Sequence, residues 1–443
     1  MKKIFFIAFL LLFCLTNSNA QQNSYKQVTV LQAIDKKMLI DSLCKRLSIF
    51  YVSAEKATEI TKTLQNNLQN GLYDKLSNPV LFAEKVNEEM RKISKDKHLN
   101  LAFDPVGIAT QVQSTQNNAL ENLRKYESQI RRQSYGLKEI KMLEGNIGYF
   151  RIDEFVSPAY SAENTITALN FLATSNAIIL DMRYSKGGDV ALIQVIISQL
   201  YKKDTTIHLN NFYHRASNTS SSLFTIANLK GTKMPNIPVY VLISKNTFSA
   251  AEALAYNLQS LHRATIVGEV SAGGANAGNT EILTNLFSLF LPTEKTINPI
   301  TGTNWEGVGV IPDVKIEAEK AVEKAQILAA EKIVNLANGK EKTAYQWTLE
   351  VLQAKEKMFK VNSEKLQSYI GVYGVRTLSV EKNKLYYQRA GKPKIELLPV
   401  DETTFYLSTS TDIKLKIVLE NQKNVAILLS YQDGGEDRYA INE

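Results

Sequence analysis

Cysteine is almost missing from this chain. Cys14 and Cys44 are its two cysteines in 443 residues. Cys14 lies in an apolar leader, so its removal leaves one thiol and excludes an intramolecular disulfide. Cys44 falls among apolar residues at helical spacing and reads as a buried side chain. Histidine is scarce too, with four residues and no HExxH or CxxC pattern nearby. Neither a metal site nor a cofactor is therefore expected. Beyond the leader no apolar run is long enough to span a bilayer, so stable membrane insertion is not expected. The net charge is +8, but the lysines are scattered among acids with no basic block. No nucleic-acid partner is therefore expected, and the excess charge reads as solvated surface.

The leader itself is informative. Met1-Lys2-Lys3 precedes an apolar stretch from Ile4 to Leu15, followed by small polar residues up to Ala20. This is the pattern of an export signal, with cleavage expected after Ala20. The mature chain is expected to be periplasmic or secreted.

Residues 21–105 read as helical. Leu39, Ile40, Leu43 and Leu47 recur at helical spacing, as do Phe82, Val86, Met90 and Ile93. Gln111 to Tyr135 reads as a loop or an exposed helix. Across 106–338 strands alternate with helices. Ile147–Ile152, Ala177–Arg183, Val239–Ile243 and Ala264–Gly268 are apolar runs without polar alternation, which indicates βαβ units covered on both faces. Helices are expected at Ala162–Leu172, Val190–Tyr201 and Ala318–Ala337, and one strand at Glu281–Leu291. Residues 339–443 read as a helix, Tyr345–Phe359, followed by short strands of a small antiparallel domain.

Four motifs stand at the ends of these elements. They are Asp96-Lys97-His98-Leu99, the run Asp181 to Gly188, the turn Ser249-Ala250-Ala251-Glu252, and Glu306-Gly307-Val308-Gly309-Val310-Ile311-Pro312-Asp313. Taken alone, Ser249 is a helix cap. Taken together, the motifs supply a nucleophile, a base, an acid and backbone N–H groups unscreened by side chains. Those are the parts of acyl transfer. His208 and His214 flank a segment that reads as irregular. His262 lies about 20 Å along the Ser249 helix, too far to serve as its base.

These motifs, in this order, resemble the C-terminal-processing (tail-specific) serine peptidase family, which includes tricorn protease and the interphotoreceptor retinoid-binding protein. The tail-specific branch uses a lysine base in a Gly-Glu-x-x-x-Gly-Lys segment. Here Gly274 occupies the lysine position of Gly268 to Gly274, and too few residues separate His98 from Gly148 for a PDZ module. The resemblance is thus to the branch with a histidine base. It implies an α/β fold: a ClpP/crotonase-like core with a helical N-terminal domain, followed here by the small β-rich domain. It also implies Ser249 as nucleophile, His98 as base, Glu306 as its orienting acid, and Gly187 or Gly188 with Ala250 as oxyanion hole. A peptide or protein would be the substrate, and self-association stays open. The same scaffold also suits an apolar-ligand carrier or a non-peptide acyl hydrolase.

Overall fold

The computed structural model describes residues 30–117, 119–357 and 359–442. The leader and its cleavage position lie outside the described residues. The chain opens with three helices, α1 (Ala33–Phe50), α2 (Ala54–Gln69) and α3 (Pro79–Ser94). Asn78 caps α3 by accepting from the amides of Val80 and Leu81, and Pro79 suits its first turn. Lys95 ends α3 in the left-handed region at φ 58°. The chain therefore turns sharply through Asp96 and His98 into β1 (Asn100–Phe103). Buried Asn87 of α3 grips β1: its amide donates to Leu101 O at 2.8 Å, and its oxygen accepts from Leu101 N at 2.7 Å. His98 is thus fixed on both sides before any tertiary partner is counted.

The stretch expected as loop or exposed helix forms two helices, α4 (Pro105–Asn117) and α5 (Ala119–Arg132). Then the α/β core begins. Its strands are β2 (Leu137–Leu143), β3 (Ile147–Ile152), β4 (Ala177–Asp181), β7 (Val239–Ile243), β8 (Thr265–Gly268) and β11 (Val314–Lys315). They form a six-stranded sheet in the order β11-β8-β7-β4-β3-β2. All neighbours are parallel except edge strand β2. Every residue of β4 and β7 is buried, as a sheet covered on both faces requires. One face packs on α6 (Pro158–Leu172), α7 (Leu192–Gln199) and α8 (Ala250–Ser260). The other receives Ala321, Ala325 and Ala329 of α9 (Ala321–Leu336), whose small side chains let the helix lie close.

A second sheet joins the N-terminal helices to this core. It contains β1, β5 (His208–His214), β6 (Thr219–Phe224), β9 (Ala277–Ile282) and β10 (Phe287–Ile297). The single strand expected at Glu281–Leu291 is instead the middle of the β9–β10 hairpin. Thr284 Oγ1 accepts from the amides of Leu286 and Phe287 and makes the turn. His208 and His214 do not flank irregular chain; they are the two ends of β5. The paired strands β5 and β6 carry Asn210, Asn211 and a serine run, which hides them from an apolar-pattern reading. The first half of β10 pairs with β1 and its second half with β5. Phe287, Leu289 and Leu291 complete the apolar core of α1–α3.

After α9, α10 (Gly339–Lys357) packs on it, starting earlier than its apolar pattern suggests. A short helix at Ser363–Ser368 leads into an eight-stranded antiparallel meander, Gly371 to Ala440, paired in sequence order. Its core is built on Tyr369, Tyr373, Leu378, Leu385 and Leu415.

Phe287 is buried edge-to-face against Phe82 and Phe103. Phe287→Ala should cost about 3–5 kcal/mol in urea denaturation. A loss below about 1 kcal/mol would mean that β10 does not hold the helices.

Candidate active site

Ser249 stands at the C-terminal end of β7, where ligands gather in open α/β sheets. The turn before it is tied to the segment after β4. Ser244 Oγ donates to Arg183 O at 2.5 Å, Thr247 Oγ1 to Met182 O at 2.8 Å, and Phe248 N to Ser185 O at 3.1 Å. Ser249 itself has φ 57° and ψ −122°, a conformation that costs about 1–3 kcal/mol in a non-glycine residue. Glu252, fully buried one turn along α8, holds it there. Its carboxylate accepts from Ser249 N at 2.9 Å, Ser271 Oγ at 2.5 Å, Gly273 N at 2.6 Å and Gly274 N at 2.9 Å. Burial raises the Glu252 carboxyl above its ordinary range, and these four donors pull the other way. Ala250 is the first helical residue, so its amide has no partner within the helix.

The two glycines do different things. Gly187 has φ 86°, and a Cβ there would lie 2.7 Å from Ser249 Cβ and 2.8 Å from Ala250 N. Gly188 has φ 133°, and its Cβ would lie 2.3 Å from Phe155 O, on which this loop packs. Gly187 clears the serine, while Gly188 lets the loop run beside it. Upstream, buried Asp181 accepts from Tyr149 Oη and from the Arg183 guanidinium, whose Nη1 reaches Ala318 O. That pair braces the loop rather than facing the cleft.

His98 reaches the same cleft from the other half of the molecule. Its ring lies between Phe248, with centroids 4.3 Å apart, and Phe290, at 5.5 Å. Burial depresses its basicity, against the opposing charge of Asp96. Glu306 Oε2 accepts from the amides of Ala275 at 2.6 Å and Asn276 at 3.0 Å. His98 Nδ1 and Glu306 Oε1 are both buried without a hydrogen-bond partner among the described residues. Asp96, His98 and Glu306 each place one donor or acceptor atom within 4.8 Å of the others. Burial, with the charge of Asp96, pushes the Glu306 carboxyl up to about 7. That spacing would also suit a cation. Asp96 and Glu306 Oε2 accept from N–H and O–H donors, which leaves His98 Nδ1 and Glu306 Oε1 as the unpartnered atoms of this cluster among the described residues.

His98, Ser249, Ala250 and Gly188 line one cleft of about 750 Å³, with Phe212, Val190, Ala253 and Trp305 among its apolar walls. Glu306 stands behind His98, and Gly187 packs on Ser249. The other histidines are elsewhere. His208 stacks on Phe224, His214 approaches Glu294, and His262 lines a separate cleft. Sequence reasoning missed Phe248, Phe290, Trp305 and the buried Asp96 hub. It did single out Gly274. A Cβ at Gly274 would lie 2.2 Å from the Phe248 ring and 2.8 Å from His98 Cε1.

Residues 146–316 match the sequence model of Peptidase family S41. The match is confined to this segment. It contains Gly187, Gly188, Ser249, Ala250 and Glu306, and His98 lies outside it. A carboxy-terminal-processing protease of Bartonella bacilliformis is 27% identical over 179 residues, 40% of this chain and 40% of its own. A carboxyl-terminal-processing protease of Synechocystis sp. is 35% identical over 132 residues, 29% of this chain and 28% of its own. The chain thus spans less than half the length of these two relatives. A putative peptidase from Parabacteroides merdae superposes with a TM-score of 0.47 at 16% identity, over 66% of this chain and 96% of that one.

The position of Glu306 has a thermodynamic signature. Its folded pKa is raised, so its contribution to stability is fully present below about pH 4.5 and is lost as the pH rises through about 7. Over that window the unfolding free energy should fall by about 2–3 kcal/mol relative to Glu306→Gln. Parallel pH–stability curves for the two proteins would place Glu306 in solvent instead.

Proposed function

We propose that the protein is an exported serine-type endopeptidase acting through Ser249, His98 and Glu306. One observation carries this reading: a strained serine at a helix N-terminus shares a cleft with a histidine that lies beside Glu306, and His98 Nδ1 and Glu306 Oε1 are both buried and unpartnered among the described residues. Ser249 Oγ attacks the scissile carbonyl carbon while His98 takes its proton, and the C=O electron pair moves onto oxygen. The amides of Ala250 and of Gly187 or Gly188 receive that oxyanion, aided by the dipole of α8. His98 then protonates the leaving amine, and water repeats the sequence to release the acyl group. Glu306 orients the imidazole and stabilises its charged form.

The substrate is a peptide or protein segment that enters the apolar-walled cleft. The export reading rests on the leader; among the described helices none is long and apolar enough to cross a membrane. In this proposal residues 106–338 supply Ser249 and Glu306, the helical part before them supplies His98, and residues 339–443 form an appended β-rich part.

A fluorophosphonate probe should label Ser249, with the adduct located by peptide mass spectrometry. Ser249→Ala should abolish labelling, and His98→Ala should slow it by about 10²-fold or more. A folded protein that takes no label would move the weight to the ligand-carrier reading. Peptide cleavage, expressed as kcat/KM, should rise through about pH 7 as the His98–Glu306 couple loses its proton. Gly274→Lys should abolish labelling too, because the new side chain meets the Phe248 and His98 rings; retained labelling would dissociate His98 from the reaction.

A further inference from the structure

Asp96 is fully buried and accepts hydrogen bonds from three segments of the chain. Its Oδ2 accepts from Tyr51 Oη at 3.2 Å and from Asn276 Nδ2 at 3.1 Å. Its Oδ1 accepts from the backbone amide of His98 at 3.0 Å. These donors come from the end of α1, from the segment before β9 and from His98 itself. No lysine or arginine pairs with Asp96 among the described residues, and neighbouring Lys97 donates instead to Ala272 O at 2.6 Å. A buried carboxylate without a cation is costly, so hydrogen bonds must carry it. This one sits where one of its oxygens lies within 4.8 Å of both the His98 ring and the Glu306 carboxyl.

We propose that Asp96 is a positioning residue for the triad, which fixes His98 through its backbone amide and sets the proton affinity of the His98–Glu306 couple through its charge. For its effect on rate this rests on the peptidase reading; its effect on His98 does not. The sign follows from the charge. Asp96 opposes the loss of His98 basicity that burial causes, and it holds the Glu306 carboxyl up. It also adds to burial in raising the Tyr51 hydroxyl, so that hydroxyl stays a donor. The other titratable groups facing this centre are Glu252 from α8 and, on the cleft side, Lys97, Lys186, Asp189 and Glu294.

The test reads His98 directly. In full-length protein with labelled histidine, the His98 resonance is assigned by its loss in His98→Ala and titrated by NMR. Asp96→Asn should lower its midpoint by about one pH unit. Tyr51→Phe removes one donor and keeps the charge, so it should leave the midpoint in place. In peptide cleavage the acid limb of kcat/KM should move to lower pH in Asp96→Asn alone, with a reduced plateau. An unmoved midpoint in folded Asp96→Asn would overturn the proposal, even with a lower rate. Asp96→Ser, which keeps an acceptor for the His98 amide, repeats the measurement should Asp96→Asn not fold. Failure of both to fold beside a folded Tyr51→Phe would make Asp96 structural and overturn it equally. A shifted midpoint in a protein that neither cleaves peptides nor takes the serine probe would uphold Asp96 and remove the peptidase reading.

Discussion

The site depends on one buried carboxylate. Glu252 lies in the first turn of α8, where the free amides and the helix dipole favour negative charge. From there it holds the amide of Ser249 and, across the cleft wall, Ser271, Gly273 and Gly274. One side chain therefore sustains the strained backbone of Ser249 and sets the path of the loop that faces His98. Hydrogen bonds to a charged acceptor are each worth about 1.5–3 kcal/mol, and Ser249 demands about 1–3 kcal/mol of strain. The balance lets an unfavourable φ at Ser249 persist in the folded protein.

The loop that Glu252 organises also decides which side chains can face the cleft. Gly274 stands where the lysine of the tail-specific branch would fall, and the rings of Phe248 and His98 already occupy the space of its side chain. A lysine at 274 and the observed His98 rotamer exclude one another sterically. The missing lysine and the present histidine are thus two faces of one packing fact. Trp305 supports the arrangement from behind by donating its indole N–H to Gly274 O at 2.9 Å.

The parallel core strands were legible in sequence because burial on both faces leaves uninterrupted apolar runs, as in Ile178–Leu180 and Val239–Ile243. Strands β5 and β6 were not legible, because serine and asparagine dominate them. The hairpin at Thr284 was read through as one strand, since its turn is made by a threonine hydroxyl rather than by glycine or proline. In the site, Ser249, His98 and Glu306 could be picked out by their motifs. Asp96 could not: it lies in the same motif as His98, but its significance comes from Tyr51 and Asn276, which are far away in sequence. Long-range hydrogen bonds leave no local periodicity to read.

The division of labour across the chain follows from this geometry. Ser249 is placed by the parallel sheet, and His98 by a cap, an Asn87 clamp and a strand that belong to the N-terminal half. Glu306 comes from a third segment, anchored to the amides of Ala275 and Asn276. These three supports meet through β10, which pairs with β1 at one end and β5 at the other while its apolar residues close the helical core. Moving the helices on β10 would therefore displace His98 relative to Ser249 without disturbing either local structure. Asp96 opposes such a displacement, because it bonds α1, the Asn276 segment and His98 at once. The assembly of the site and the seating of the N-terminal helices are, in this protein, the same event.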